Sequence, residues 1–232
     1  MSEAIILAGG FGTRLRDVVS DVPKPMAPVR GVPFLCYLLH SLSLQHYDHV
    51  VLATGYMHHT IESYFGHQHE GIALDYSVEH PPLGTGGAIV AALQQCHEES
   101  ITVLNGDTLF AADLARLQHF ANACGAPLCV VLRQVDDVAR YGSVSLNASG
   151  RITGFREKAQ AAGAGLINGG IYQLRRSLLS DRAVGEAFSF EKEVLQRHYD
   201  DLPFYAYADE AFFIDIGVPS DYEHAQTLLP EL

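Results

Sequence analysis

Glycines and basic side chains are concentrated in the segment LAGGFGTRLR, residues 7–16. Its three glycines permit consecutive backbone N–H groups to approach an anion closely. A threonine adds a hydroxyl donor, and an arginine adds a guanidinium that can bind phosphate oxygens through two parallel hydrogen bonds. The candidate phosphate-binding residues of this turn are Gly9, Gly10, Gly12, Thr13 and Arg14. The alternative is a tight strand–helix turn with arginines on its surface.

Two common phosphate-binding motifs do not fit this turn. The dinucleotide fingerprint G-x-G-x-x-G places a glycine where this chain has Leu15, and the chain contains no G-x-x-x-x-G-K-[ST] sequence. Further along, Lys24 stands between Pro23 and Pro25, which set it on a stiff loop. A compact ammonium group on such a loop suits a polyphosphate, although a chance placement would look the same. A polyphosphate is therefore favoured as the ligand.

The elements that carry these residues alternate between strands and helices over the first 135 residues. Short apolar runs predict strands, and the amphipathic stretches between them predict helices. The predicted strands are 4–9, 49–54, 72–78, 101–106 and 127–133, and the predicted helices are 33–46, 58–66, 85–96 and 112–124. This alternation, with nearly continuous apolar strands, indicates a parallel sheet covered on both faces. Such sheets bind ligands at the carboxyl ends of their strands.

The pattern changes after residue 135. Strand-like segments at 141–147, 151–158 and 165–174 lie close together and predict antiparallel pairs. Further predicted elements are a loop at 159–165, a helix at 189–199, strands at 203–209 and 211–217, and a helix at 219–229 that begins with proline. The expected fold class is therefore α/β, with a Rossmann-like, mixed but mainly parallel sheet, helices on both faces and a small inserted subdomain.

The overall charge excludes several classes of partner. The chain has 232 residues and a formal net charge of −12 at pH 7, which argues against binding long nucleic acid or an anionic membrane through its general surface. It contains no apolar run long enough for a transmembrane helix, and its first residues do not resemble a signal peptide. Its four cysteines form no CxxC pair, so we expect free thiols in a cytoplasmic protein.

The segments LAGGFGTRL and PKPM resemble the signature of the sugar-1-phosphate nucleotidyltransferases. The likeness continues in order through PPLGTGGA (81–88), NGDT (105–108), RYGSV (140–144), EK (157–158), INGGIY (167–172) and FIDIGVPSDY (213–222), and it covers nearly the whole chain. One short motif is weak evidence, but a series in the same order is strong. Within the family, RLRDVVSDVPKPMAPV, LINGGIY, FSFE and FIDIGVPSDY most resemble the branch that joins GTP to a heptose 1-phosphate.

The resemblance implies a nucleotide-diphospho-sugar transferase fold in a single domain, residues 1–232. Residues 1–135 would mainly bind the nucleotide, and residues 136–232 would form the mainly sugar-phosphate-binding half. In the implied reaction a sugar-1-phosphate oxygen attacks the α-phosphorus of an NTP, pyrophosphate leaves, and Mg²⁺ is the cofactor. The implied partners are GTP and a heptose 1-phosphate, without nucleic acid or membrane, and the product would serve a bacterial capsule or surface-layer glycan. A monomer and a homodimer both remain open.

The same resemblance implies roles for particular residues. The catalytic residues are Arg14, Lys24, Asp107, Lys158 and Asp215. The nucleotide-binding residues are Leu7, Ala8, Gly9, Gly10, Gly12, Thr13, Arg14, Lys24, Glu79, Gly84, Thr85 and Asp107. The sugar-phosphate-binding residues are Gly142, Glu157, Lys158, Asn168 and Gly169. The implied Mg²⁺ ligands are Asp107 and Asp215, at the ends of two predicted strands that a parallel sheet can bring to one edge.

Glu79 bears on the choice of base. An ionised carboxylate only accepts hydrogen bonds, and guanine presents two adjacent donors, its N1–H and its 2-amino group. Thymine and uracil place carbonyl oxygens beside their single N–H, and a carboxylate would repel those oxygens. Glu79 therefore favours GTP, unless it is a solvent-facing glutamate near a loop.

Plainer interpretations exist for the other residues and for the whole protein. Asp107 could be a turn aspartate, Thr85 could cap the helix that follows it, and Glu157 with Lys158 could form a surface ion pair. The same chemistry could use mannose 1-phosphate, another sugar 1-phosphate, or UTP. A non-catalytic sugar-nucleotide-binding regulatory protein is a further alternative, which the full set of catalytic candidates argues against. A glycosyltransferase is disfavoured because NGDT is not a D-x-D motif.

Overall fold

The computed structural model describes residues 2–10, 12, 15, 18–156 and 162–232. Its strands are β1 (Glu3–Leu7), β2 (Pro28–Val29), β3 (Val32–Pro33), β4 (His49–Thr54), β5 (Gln68–His69), β6 (Ile72–Val78), β7 (Ser100–Asn105), β8 (Thr108–Phe110), β9 (Leu128–Val135), β10 (Ser143–Leu146), β11 (Ile152–Arg156), β12 (Gly165–Arg175), β13 (Tyr205–Asp209) and β14 (Phe213–Asp215). Its α-helices are α1 (Phe34–Leu44), α2 (His58–Phe65), α3 (Gly84–Ala92), α4 (Leu114–Cys124) and α5 (Pro219–Leu228). A π-helical segment, Glu191–Gln196, occupies most of the helix expected at 189–199.

A central sheet of eight strands has the order β13-β9-β12-β7-β1-β4-β6-β5. Parallel pairing joins β7 to β1, β1 to β4, β4 to β6, and β9 to β13. Strands β1 and β4 are mostly apolar and are buried along nearly their whole length, as parallel strands covered by helices must be. The expected mixed, mainly parallel sheet is confirmed.

Strand β12 connects the two parts of the sheet. β10 and β11 pair with each other as an antiparallel hairpin, which agrees with the prediction for this part of the chain. β12 instead runs antiparallel between β7 and β9, inside the central sheet. Residues in its second half are buried on both faces of the sheet. The central position therefore buries the apolar side chains of β12 and gives its backbone hydrogen-bond partners on both sides.

Helices cover both faces of the sheet, and neighbouring residues of β1 show this directly. Ile6 packs into a core that includes residues of α1, α2, α4 and α5. Ile5 packs into a second core with residues of α3. The alternation follows from the two-residue period of a strand. Across the described part of the chain, no helix combines the length and apolar character needed to cross a membrane.

Candidate active site

Two adjoining cavities lie at the carboxyl ends of the central parallel strands, where ligands bind in sheets of this kind. The first has a volume of about 350 Å³. It is lined by residues that follow β1, β6 and β7, by the start of α3, and by Lys24. Nine of its lining residues were expected to bind the nucleotide: Leu7, Ala8, Gly9, Gly10, Lys24, Glu79, Gly84, Thr85 and Asp107.

The second cavity has a volume of about 420 Å³ and lies beside the first. Its lining includes Gly142 and Asn168, two of the expected sugar-phosphate residues, together with Asp215. Three residues line both cavities: Asn105, Asp107 and Glu191. The two cavities therefore meet at the end of β7, and a group held at Asp107 is in reach of ligands in both.

Lys24 is fixed at this junction by an ion pair. Its ammonium nitrogen lies 2.5 Å from Asp107 Oδ2, and its side chain is only 10% exposed. The other carboxylate oxygen of Asp107 accepts a hydrogen bond from the Thr108 hydroxyl over 3.2 Å. The Asp107 side chain is 35% exposed, so it stays accessible to a ligand while this charge-assisted hydrogen bond holds Lys24 beside it.

The strand pairing that places Asp215 beside Asp107 differs from the expected one. β14 pairs antiparallel with β8, and Asp215 lies opposite Thr108 in that register. The backbone N–H of Ile216 donates to the carbonyl oxygen of Asp107 over 2.9 Å. The two aspartates are thus brought together by a short antiparallel pair outside the central sheet. The expectation that a parallel sheet brings both to one edge is wrong for Asp215, whose strand is not part of that sheet.

The aspartate pair has the electrostatics of a cation site. Burial, and then the neighbouring Asp107 charge, raise the pKa of Asp215, while Lys24 and the Gly217 N–H act in the opposite direction. Gly217 donates to Asp215 Oδ1 over 2.6 Å. The Asp107 and Asp215 carboxylates repel each other, and the Lys24 ammonium offsets that repulsion only in part. Their all-oxygen donor set fits a hard divalent cation such as Mg²⁺.

The glycine turn after β1 is built around Glu79. A Cβ at position 9 would overlap Glu79 Oε1, so only glycine permits this close approach. At Gly10, no described atom lies within 4 Å of the position that a Cβ would take, and this residue lines the first cavity. Gly12 packs against the aliphatic part of the Lys24 side chain. Thr13 and Arg14 lie outside the described residues.

Glu79 is buried in the wall of the first cavity and is only 8% exposed. Its Oε2 accepts a hydrogen bond from the backbone N–H of Leu83 over 2.8 Å. Burial raises the pKa of Glu79, and the Leu83 N–H partly opposes that effect. The alternative of a solvent-facing glutamate is therefore wrong.

Thr85 joins the start of α3 to the segment before the π-helix. Its hydroxyl donates to Glu191 Oε2 over 2.7 Å and accepts from the Phe190 N–H over 2.9 Å. α3 begins at Gly84 without a side-chain cap, so the interpretation of Thr85 as a helix cap is wrong. Gly84 has φ +68° and lies against the Phe188 carbonyl, a position that a side chain would not tolerate.

Gly142 and Asn168, two of the sugar-phosphate candidates, line the second cavity. The side-chain amide of Asn168 donates to the Tyr172 hydroxyl over 2.7 Å, and its Oδ1 accepts from the Gly170 N–H over 3.0 Å. These contacts hold Asn168 in the wall of the second cavity. Gly169 packs against the Phe110 ring. Of the remaining candidates, Glu157 and Lys158 lie outside the described residues.

Several lining residues were not singled out from the sequence, and four of them carry charged or amide side chains that bear on the chemistry. Glu191 and Asn105 line both cavities, and Arg156 and Lys192 add basic groups to the second. Asn105 stands in the NGDT motif, which was a usable signal. Glu191 ends the FSFE segment, which was also a usable signal, but its contact with Thr85, 106 residues away, could not be predicted from local sequence.

The chain belongs to the nucleotidyl transferase family, which matches residues 3–231, and the class expected from the motifs is confirmed. It is 44% identical over 224 residues to the D-glycero-α-D-manno-heptose 1-phosphate guanylyltransferase of Aneurinibacillus thermoaerophilus, covering 97% of this chain and 96% of that protein. It is 34% identical over 223 residues to the mannose-1-phosphate guanylyltransferase of Mycobacterium tuberculosis, covering 95% of this chain and 62% of that one. The crystal structure of HddC from Yersinia pseudotuberculosis complexed with GMP-PN superposes with a TM-score of 0.86 at 34% identity, covering 98% of this chain and 99% of HddC.

Proposed function

We propose that the protein is a guanylyltransferase that joins GTP to D-glycero-α-D-manno-heptose 1-phosphate, forming GDP-D-glycero-α-D-manno-heptose and releasing diphosphate. The observation that carries the proposal is the meeting of two cavities at Asp107, beside Lys24 and Asp215. A nucleotide in the first cavity and a sugar phosphate in the second would present their phosphates to each other there. The 44% identity to an enzyme with this name supports the same substrates.

The chemistry requires alignment more than proton transfer. The attacking phosphate oxygen is already an anion at neutral pH, so no general base is needed. The main barrier is the approach of two polyanions, which a site overcomes by positioning them and neutralising their charge. Lys24, held at the junction by Asp107, supplies positive charge where the phosphates meet. Arg14 is proposed to do the same for the departing diphosphate.

Mg²⁺ is the proposed cofactor, with Asp107 and Asp215 as its protein ligands. When bound, it would neutralise charge on the phosphate oxygens of the reacting groups. The β8–β14 pair, which fixes the backbones of the two residues side by side, supports this choice of ligands.

Base selection is assigned to Glu79. One of its oxygens is fixed by the Leu83 N–H, which orients the carboxylate in the cavity wall. An ionised carboxylate can accept from the guanine N1–H and 2-amino group, and it disfavours the carbonyl oxygens of uracil and thymine. A guanine nucleotide in the HddC complex supports the same choice of base.

The sugar phosphate is assigned to the second cavity, with Gly142, Asn168 and Gly169 near the sugar and Glu157 and Lys158 completing the site. We retain residues 1–135 as the mainly nucleotide-binding half and 136–232 as the mainly sugar-phosphate half of one domain. The four free cysteines agree with a reducing compartment, so a cytoplasmic enzyme is proposed. Its product would enter a bacterial capsule or surface-layer glycan.

Mannose 1-phosphate is the second candidate acceptor, because the chain is also 34% identical to a mannose-1-phosphate guanylyltransferase. A non-catalytic regulatory protein is disfavoured, since such a protein has no need of the Lys24–Asp107 ion pair beside a second carboxylate.

A matrix of nucleoside triphosphates against sugar 1-phosphates, read by diphosphate release in Mg²⁺, tests the proposal. GTP with the heptose 1-phosphate should give the highest kcat/KM. Faster turnover with UTP or dTTP would contradict the base assignment, and a higher kcat/KM with mannose 1-phosphate would contradict the sugar assignment. Asp107→Asn serves as the inactive control.

A further inference from the structure

A second group of ionisable side chains lies at the opposite end of the sheet. Glu3 begins β1, and His49 begins β4 directly opposite it in the parallel register. His97 lies in the segment between α3 and β7. The side chain of Glu3 is fully buried and that of His49 is 7% exposed, whereas His97 is 80% exposed. The group is therefore anchored in the fold and open to solvent on one side.

The Glu3 carboxylate is oriented by the backbone. Its Oε2 accepts hydrogen bonds from the N–H groups of His97 over 2.7 Å and Glu98 over 2.6 Å. Its Oε1 lies 3.0 Å from His49 Nδ1 and 3.0 Å from His97 Nδ1. One oxygen is thus fixed, and the other is directed between two imidazole nitrogens.

Asp75, on β6, completes the arrangement behind His49. Its Oδ2 lies 3.0 Å from His49 Nε2, so both ring nitrogens of His49 face carboxylate oxygens. The Nε2–H can donate to Asp75, but Nδ1 then needs a proton or a cation between itself and Glu3. A ligating histidine whose other nitrogen donates to a carboxylate is the usual environment of a protein-bound metal.

We propose that Glu3, His49 and His97 form a binding site for a divalent transition metal, with Zn²⁺ as the best match, and that Asp75 orients His49 from behind. The three ligand atoms already lie within 4.8 Å of one another. Tetrahedral Zn²⁺ at about 2.0–2.2 Å from each ligand places ligand atoms roughly 3.3 Å apart. The observed 3.0 Å contacts need only a small expansion, which the exposed His97 side chain can supply. Water would complete the coordination.

The site is chemically distinct from the aspartate pair at the active site. Two imidazoles and one carboxylate suit Zn²⁺, whereas two carboxylates suit Mg²⁺. A bound ion would connect the first residues of β1 and β4 to the segment that leads into β7. It would therefore stabilise the fold at the end of the sheet remote from the two cavities.

The test is a Zn²⁺ titration of the full chain against a chromophoric chelator, in millimolar Mg²⁺ so that the aspartate pair is occupied by Mg²⁺. His97→Ala is the main variant, because an exposed side chain can be removed without opening the core. Wild type should compete with the chelator for one equivalent of Zn²⁺ per chain, and the bound Zn²⁺ should raise its Tm. His97→Ala should weaken that binding at least tenfold and abolish the Tm shift, and Asp75→Asn should weaken it about 10–100-fold.

Two controls separate this site from other histidines. His59→Ala alters the other described group of suitable spacing, His58, His59 and Glu62, and His224→Ala removes an exposed histidine outside both groups. Both variants should bind one equivalent of Zn²⁺ with the affinity of wild type. Failure of wild type to compete with the chelator, wild-type affinity in His97→Ala, or loss of the equivalent in His59→Ala would each overturn the proposal.

Discussion

The pKa of a buried carboxyl group is shifted in opposite directions at the two ends of the central sheet. At the amino end, Glu3 is buried but has a hydrogen-bond partner for each oxygen. Burial by itself raises the pKa of Glu3. Hydrogen bonds from the backbone of Glu98 and His97, and from the His97 and His49 side chains, outweigh burial and lower the pKa to about 2. This carboxylate stabilises the folded state.

At the carboxyl end, Asp215 is also largely shielded, yet its pKa is raised by burial and by the Asp107 charge. Lys24 and one backbone N–H oppose this only in part. The difference indicates that the Glu3 charge contributes to stability, whereas the Asp215 charge is only partly neutralised by the protein and can interact with a ligand. Incomplete neutralisation at the junction of the two cavities is what a site for cations and phosphates requires.

Asp107→Asn is expected to give the largest effect on activity. It removes the Lys24 ion pair and a proposed metal ligand without changing side-chain volume. We expect kcat to fall about 10³-fold, the scale of losing a main electrostatic group, while the unfolding midpoint changes little. Diphosphate release and urea unfolding measure the two quantities. The exposed Asp136→Asn is the matched control, and a kcat within threefold of wild type would remove Asp107 from the proposed mechanism.

Glu3→Ala tests the other end of the sheet. The substitution leaves His49 and two backbone N–H groups without their acceptor in a buried setting, so the free energy of unfolding should fall by about 3 kcal/mol. Urea unfolding at pH 7.5 in a chelator measures it. Glu3→Gln, which keeps an acceptor for the backbone, should lose much less. Equal losses in the two variants would mean that packing, and not hydrogen bonding, makes Glu3 stabilising.

Glu79→Gln should change base preference more than overall turnover. The amide can donate to a uracil carbonyl and loses one of the two acceptors offered to guanine. The ratio of kcat/KM for GTP over UTP should fall about 30-fold, equivalent to about 2 kcal/mol for a hydrogen bond to a charged group. An unchanged ratio would show that Glu79 supports the glycine turn and does not contact the base.

The burial of Glu79 also predicts a pH effect on GTP binding. Its pKa is raised, so the ionised form that accepts from guanine is lost at a higher pH than for an ordinary glutamate. KM for GTP should therefore rise severalfold as pH falls through that pKa, and stay constant above it. The ratio of wild-type KM to Glu79→Gln KM isolates this effect from titration of the nucleotide. A ratio independent of pH down to 4.5 would contradict the assignment.

Short sequence motifs predicted many of the candidate residues that line the two cavities. Glu79 and Asp107 could be predicted because they follow parallel strands, whose carboxyl ends meet at one edge of the sheet. Lys24 could be predicted because two prolines flank it on a stiff loop. The β8–β14 pair and the Thr85–Glu191 contact could not, since each joins segments about a hundred residues apart through topology alone. The amino-end group was missed for the same reason, because Glu3 and His49 become neighbours only through strand register.

Asp215→Asn should have a small effect on stability, and its sign is opposite to that of Glu3→Ala. The amide keeps an acceptor for the Gly217 N–H but removes a buried charge that faces Asp107. At pH 7.5 in a chelator, where Lys24 alone opposes that repulsion, the variant should be more stable than wild type by about 1 kcal/mol. It should nevertheless be nearly inactive in Mg²⁺.

Thermal unfolding with and without Mg²⁺ measures the difference in stability, because Mg²⁺ should stabilise wild type and leave the variant unchanged. A variant less stable than wild type in chelator would mean that Asp215 contributes to the fold as Glu3 does, and the contrast between the two ends of the sheet would fail.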